Sequence, residues 1–244
     1  MQRLVVAQAQ FVGTDRVTLT LRQRHYLLSV LRLRAGDRLI VLNGVGQGWV
    51  ARLTAAETEE AVELVLLERH DFQTELPLAV NLVAALPKNG FDEVVRCCTE
   101  LGVTKITPVM SARTVLKPSV NKLKRWQKIA TEAAEQSERA IVPQIVEPQD
   151  FQVMLGGLVP ENSFLCAARK QSSHLLTALP KLPATATEIT VLIGPEGGWS
   201  DQEIKQAIAA KIIPVSLGRS ILRAVTASIT AVSFVNAYLN NDHL

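Results

Sequence analysis

Leu192-Ile193-Gly194-Pro195-Glu196-Gly197-Gly198-Trp199-Ser200 holds a strand end, a glycine-rich turn and a helix start in one short stretch. The run 188–193 that leads into it is apolar and β-branched, which predicts a buried strand. Ser200-Asp201-Gln202-Glu203 then reads as a capping box, the hydroxyl accepting from the amide of residue 203 while Glu203 reaches back. A second stretch repeats the arrangement. The apolar run 212–217 ends in Leu217-Gly218-Arg219-Ser220-Ile221-Leu222-Arg223, and a helix rich in small residues follows. Two Gly-bearing turns at the carboxyl ends of two strands are where an open α/β sheet binds its ligand. A connecting turn alone has no need of Gly, Pro, Gly and Gly together. The pair therefore points to a small-molecule pocket, and so to an enzyme.

Outward from these loops the chain alternates. Apolar runs at 78–86, 105–110, 163–167, 188–193 and 212–217 predict buried strands, separated by helical stretches at 91–101, 121–139, 200–210 and 224–240. That order implies α/β architecture with a parallel sheet covered on both faces. The last helix, Ala224 to Val235, is poor in charge all round and is expected to be buried, on the sheet or against a second copy of the chain. Composition shifts at Glu75-Leu76-Pro77, which divides the chain into 1–74 and 75–244. In the first part Val17–Leu21, Arg38–Leu42, Trp49–Leu53 and Ala61–Leu66 read as strands. Asn43-Gly44 signals a tight turn, and His25–Arg32 has helical spacing. A small β-barrel with one helix fits this order.

Composition narrows the classes. The chain has 244 residues, 48% apolar and 20% charged, with material for a full core and no signature of disorder. No apolar run reaches membrane length and the N-terminus lacks a signal-peptide layout, so the expectation is a cytoplasmic protein with no membrane contact. Cys97, Cys98 and Cys166 form no disulfide framework, and His25, His70, His174 and His243 show no ligand spacing, so no metal is expected. Gly44-Val45-Gly46-Gln47-Gly48 precedes a strand rather than a helix and reads as a hairpin, not a phosphate loop.

Charge is unevenly spread although the net value is only +3. Residues 1–52 carry eight arginines against Asp15 and Asp37, whereas 53–74 carry six acids, among them Glu57, Glu59 and Glu60, against Arg69. A second basic run comprises Arg113, Lys117, Lys122, Lys124, Arg125 and Lys128. Two such clusters fit contacts to nucleic-acid phosphates.

Several segments together resemble one family. They are His25-Tyr26-Leu27 with Val30-Leu31-Arg32 and Ala35-Gly36-Asp37, Thr99 to Val103, Ala133 to Arg139, Ile193 to Ser200, and Leu217 to Thr226. The chain resembles the SPOUT class of methyltransferases, most closely the bacterial family that makes N3-methyluridine in 16S ribosomal RNA. The resemblance implies a PUA-like β-barrel over 1–74 that binds RNA, and a SPOUT methyltransferase domain over 75–244 with a deep trefoil knot. It further implies S-adenosylmethionine as methyl donor, a homodimer, and 16S rRNA or the small ribosomal subunit as partner. Leu192, Ile193, Gly194, Glu196, Gly197 and Gly198 in one loop, with Leu217, Gly218, Ile221 and Leu222 in the other, are then the donor-binding residues. Arg223 is the candidate for stabilising a uridine anion, and Glu196 the candidate base. Arg22, Arg24, Arg32 and Arg34, together with Glu135, Gln136 and Arg139, are candidate RNA contacts. Val225 stands where the family commonly has Glu. A SPOUT ribose 2′-O-methyltransferase and a non-catalytic RNA-binding ribosome-assembly protein are the competing readings.

Overall fold

The computed structural model describes residues 1–54, 62–114, 119–167 and 172–241. Glu57, Glu59, Glu60, Ala61, Lys117 and His243 lie outside the described residues. The chain forms two compact units: residues 1–75 with 134–142, and residues 76–133 with 143–244. The linear division at 74/75 does not contain the placement of 134–142 with the first unit.

In the first unit β1 (Arg3–Val5), β2 (Phe11–Val12), β3 (Arg16–Thr18), α1 (Leu21–His25), β4 (Arg38–Leu42), β5 (Gly48–Leu53) and β6 (Glu63–His70) follow in order. The strands form one six-stranded sheet, β1-β4-β5-β6-β3-β2, in which only β1 and β4 run parallel. Its alternating apolar residues, including Val17, Leu39, Val41, Ala51 and Leu64, close a core with Leu27. The strand expected over 17–21 stops at Thr18, because Thr20 caps α1. Thr20 Oγ1 accepts from the Gln23 amide (3.3 Å), and Gln23 Oε1 accepts from the Thr20 amide (2.9 Å). A π-turn, Tyr26–Val30, continues α1 and ends at Arg32, whose φ is 57°. Asn43 Oδ1 accepts from the amides of Val45 (3.0 Å) and Gln47 (3.1 Å), so the hairpin has a five-residue loop, Asn43–Gln47, rather than a two-residue turn.

The second unit alternates as the apolar runs predict. Its elements are β7 (Ala79–Ala85), α2 (Phe91–Glu100), β8 (Val103–Met110), α3 (Val120–Gln136), β9 (Gln144–Ile145), β10 (Gln149–Asp150), α4 (Phe151–Leu155), β11 (Ser163–Cys166), α5 (Leu175–Ala178), β12 (Glu188–Ile193), α6 (Asp201–Ala209), β13 (Ile213–Val215) and α7 (Ala224–Asn240). The last turn of α3, from Ala134, belongs to the first unit. All pairings in this sheet are parallel, in the order β10-β8-β7-β12-β11-β13, with β9 also on β8. Residues 189–193 of β12 are all buried, as expected for a strand covered on both faces. The short edge elements β9, β10, α4 and α5 have too little periodicity to be legible in sequence. On α7, Ala224, Ser228, Ala231, Val232, Val235 and Leu239 are buried, a single helical stripe. Within 224–235 the residues off this stripe are half-buried except Thr226, which is exposed.

Candidate functional site

Sheet order explains how two loops distant in sequence come together. β11 lies between β12 and β13, so the loops after β12 and β13 flank the carboxyl end of β11. A cavity of about 460 Å³ opens there, within the range of small-molecule sites. Hydrogen bonds of main-chain amides shape the two loops that wall it. In the first loop the Gly198 amide donates to the Pro195 carbonyl (2.7 Å), closing a turn that leaves Gly198 at φ 66°. In the second, the Gly218 amide donates to Ser216 Oγ (3.1 Å), and Gly218 has φ 131°. Both angles lie where side chains with a Cβ are strained. Gly194 is required for a different reason: a Cβ there would stand 3.1 Å from the Trp199 amide nitrogen.

Ile193, Gly194, Glu196, Gly197 and Gly198 line the cavity from the first loop, and Leu217, Gly218, Ile221 and Leu222 from the second. Leu192 does not line it. Its side chain is fully buried on the opposite course of the β12 alternation, packed with Val83, Val109 and Leu165. Arg223 is an exposed residue at the N-cap of α7, between the lining residues Leu222 and Ala224 but not itself a lining residue. Glu196 is exposed, and its Oε1 accepts from the Lys88 amide (2.8 Å), which ties the first loop to the turn after β7. Val225 packs on Gly90, where an added Cβ would come within 2.8 Å of Val225 Cγ2.

Sequence reasoning missed Arg113 and Cys166 as wall residues. In sequence Arg113 stands out only as part of a basic run. The topology rule would have found Cys166, because β11 ends between the two loops. Burial pushes the Cys166 thiol up to about 12, so it contributes no charge to the wall at neutral pH. Among the described residues, no group of three or more His, Cys, Asp or Glu side chains is placed to hold a metal ion.

The candidate RNA contacts all belong to the first unit and divide sharply. Arg22, Arg32 and Arg34 are exposed and Arg24 is half-buried. Arg38 and Arg52 are exposed and directly opposite each other across β4 and β5, a like-charge pairing. Arg139, in contrast, is only 2% exposed. Its Nη2 donates to Glu75 Oε2 (2.7 Å), and Glu75 Oε1 accepts from the amides of Ala140 (2.8 Å) and Ile141 (2.9 Å). Glu135 Oε1 accepts from the Val5 amide (2.7 Å). These two side chains secure 134–142 to the first unit. Gln136 remains exposed.

Residues 19–67 match the family model of the RNA methyltransferase PUA domain, and residues 74–236 match that of the RNA methyltransferase domain. The ribosomal RNA small subunit methyltransferase E of Synechocystis is 47% identical over 98% of this chain and 78% of its own length. Among solved structures, a ribosomal RNA small subunit methyltransferase E from Neisseria gonorrhoeae bound to S-adenosylmethionine superposes with a TM-score of 0.86 at 29% identity, covering 98% of both chains. A putative methyltransferase from Legionella pneumophila, also with bound S-adenosylmethionine, gives 0.83 at 25% identity over 97% of both. With a PUA domain, a parallel α/β domain and these relatives, the chain belongs to the RNA methyltransferase family, among the ribosomal RNA small subunit methyltransferases E.

Proposed function

We propose that this protein transfers a methyl group from S-adenosylmethionine to N3 of a uridine in 16S rRNA of the small ribosomal subunit. The observation that carries the reading is the cavity at the carboxyl end of β11, walled by the two glycine loops. Two solved structures that superpose over nearly the whole chain hold S-adenosylmethionine. The residues present suit that donor. Main-chain groups of 193–198 and 217–222 offer donors and acceptors for adenine edges, while Ile193, Leu217 and Leu222 provide apolar cover.

The bound donor supplies an activated methyl on a sulfonium, so the protein's part is orientation and charge management. Uracil N3 is a poor nucleophile until its proton leaves. Glu196 lines the cavity with Oε1 engaged by the Lys88 amide, so proton acceptance falls to Oε2. Arg223, exposed at the N-cap of α7 and next to the lining residue Leu222, is our candidate for stabilising the uridine anion. Unstacking the target base costs a few kcal/mol. Exposed Arg22, Arg32, Arg34, Arg38 and Arg52 of the first unit offset that cost through phosphate contacts. The half-buried flank of α7 is the surface on which a second copy of the chain packs to form a homodimer, and the two glycine loops belong to a knotted segment. Among the described residues no helix is long and apolar enough to cross a membrane. The proposed place of action is the cytoplasm, on the small ribosomal subunit.

Nucleoside analysis of 16S rRNA from a deletion strain tests the reaction. Loss of 3-methyluridine, restored by the intact gene, is the expected result. Loss of a 2′-O-methylated nucleoside instead identifies a ribose methyltransferase, and no change in any methylated nucleoside identifies a non-catalytic RNA-binding protein.

A further inference from the structure

We propose that Arg113 is a positioning residue of the donor site, acting through the carbonyls of the first glycine loop, with Glu203 as its buried tether. The inference rests on the donor-site reading above. Arg113 follows β8, two strands away from the loop it touches, since β7 separates β8 from β12. Its Nη1 donates to the Gly197 carbonyl (2.5 Å) and, more weakly, to that of Trp199 (3.4 Å). Gly197 makes room for this reach: a Cβ at that position would stand 3.1 Å from Arg113 Cδ. The residue that carries the guanidinium is itself fixed. Ser111 and Thr114 close a turn around it, the Ser111 amide donating to Thr114 Oγ1 (3.0 Å) and the Thr114 amide to the Ser111 carbonyl (3.0 Å).

Glu203 locks that turn to the far end of the same loop. Its side chain is only 4% exposed. Oε1 accepts from the Ala112 amide (2.8 Å), while Oε2 accepts from the Ser200 amide (2.7 Å) and hydroxyl (2.9 Å). A capping box requires only the second set of bonds. The first set joins the α6 start to the turn after β8. The stretch from Gly197 to Ser200 is thus held from outside at both ends by residues 111–114, one bond set through Arg113 and one through Glu203. Among the described residues no carboxylate pairs with Arg113, so its charge serves the carbonyls of the loop rather than an ion pair. Hydrogen bonds from a charged donor are strong enough that their loss shows directly in the shape of a turn with few contacts of its own.

Calorimetry on the full chain, with S-adenosylhomocysteine and with 5′-methylthioadenosine, which lacks the amino-acid tail, tests the assignment. Arg113→Ala is expected to weaken both ligands by about tenfold or more, and to equal extents. Arg113→Lys, which keeps the charge but offers no planar fork, restores only part of the loss. Glu203→Gln places an amide N–H against the Ser200 donors or surrenders the Ala112 bond, and weakens both ligands in the same proportion. In turnover, the donor KM rises while kcat at saturating donor stays within about twofold. Should Arg113→Ala perturb folding, Arg113→Lys with an unchanged unfolding midpoint and weakened binding of both ligands carries the same support. Unchanged affinity in both Arg113 variants overturns the proposal. So does a loss confined to S-adenosylhomocysteine, which makes Arg113 a direct contact of the donor's tail. A wild-type chain that binds neither ligand defeats the donor-site reading itself.

Discussion

The first glycine loop and the segment Glu135–Arg139 both carry polar residues that invite a functional reading, yet the fold uses them in opposite ways. In the loop, Gly194 and Gly198 shape main chain that faces the cavity, and the neighbouring strand order alone brings the second loop opposite. In the helix end, Arg139 and Glu135 are spent on Glu75 and on the Val5 amide, partners 64 and 130 residues away in sequence. A function written in backbone angles is local, and its signature survives in sequence. A function written in a side chain depends on what the fold places beside it.

The strongest attempt to break this contrast is Gly218→Val. Its φ of 131° strains any side chain, and no atom within 4 Å of the added Cβ would support it. Donor binding is expected to fall below calorimetric detection, with affinity for rRNA fragments retained. Retained donor binding would show that the loop's backbone is not what builds the site. The reciprocal test is Arg139→Ala. Removing one member of this buried pair should destabilise the first unit by about 3 kcal/mol, measured by denaturant unfolding, while donor affinity is unchanged. A variant that is fully stable but defective in RNA binding would return Arg139 to the RNA surface.

How much of this was legible follows from the same contrast. The parallel sheet, the capping box at Ser200 and both loops could be read because each depends on residues close in sequence. Leu192 is absent from the cavity lining because alternation along β12 turns its side chain into the core, a distinction of one residue in a strand buried on both faces. Arg113 was hidden because its role depends on β8 and β12 flanking β7, and strand order is not written in periodicity. The attachment of 134–142 to the first unit was equally invisible, since it rests on Glu75 and on the loop carbonyls of Gly44 and the amide of Gly46.

Arg32 adopts φ 57°, a region glycine occupies without penalty, and its side chain is exposed. Arg32→Gly should therefore stabilise the first unit by about 1 kcal/mol while weakening RNA binding and flattening its salt dependence. Greater stability with unaltered RNA affinity would remove Arg32 from the RNA surface. Cys166 offers the smallest expected effect. With burial holding its thiol up at about 12, labelling by iodoacetamide at neutral pH should be far slower in the folded than in the unfolded chain, and should rise only in strong alkali. Rapid labelling near neutrality would mean that the cavity wall carries a reactive thiolate.

The methyl group that passes from donor to RNA joins the cavity between the two loops to a specific atom of ribosomal RNA. Incubating the purified chain with small ribosomal subunits lacking the modification and S-adenosylmethionine bearing a deuterated methyl, followed by mass mapping of the 16S rRNA nucleosides, measures it directly. The account predicts one deuterated methyl on uracil N3 at a single uridine, and none with the Gly218→Val chain. A deuterated methyl on a ribose oxygen, or transfer that persists in Gly218→Val, would contradict it.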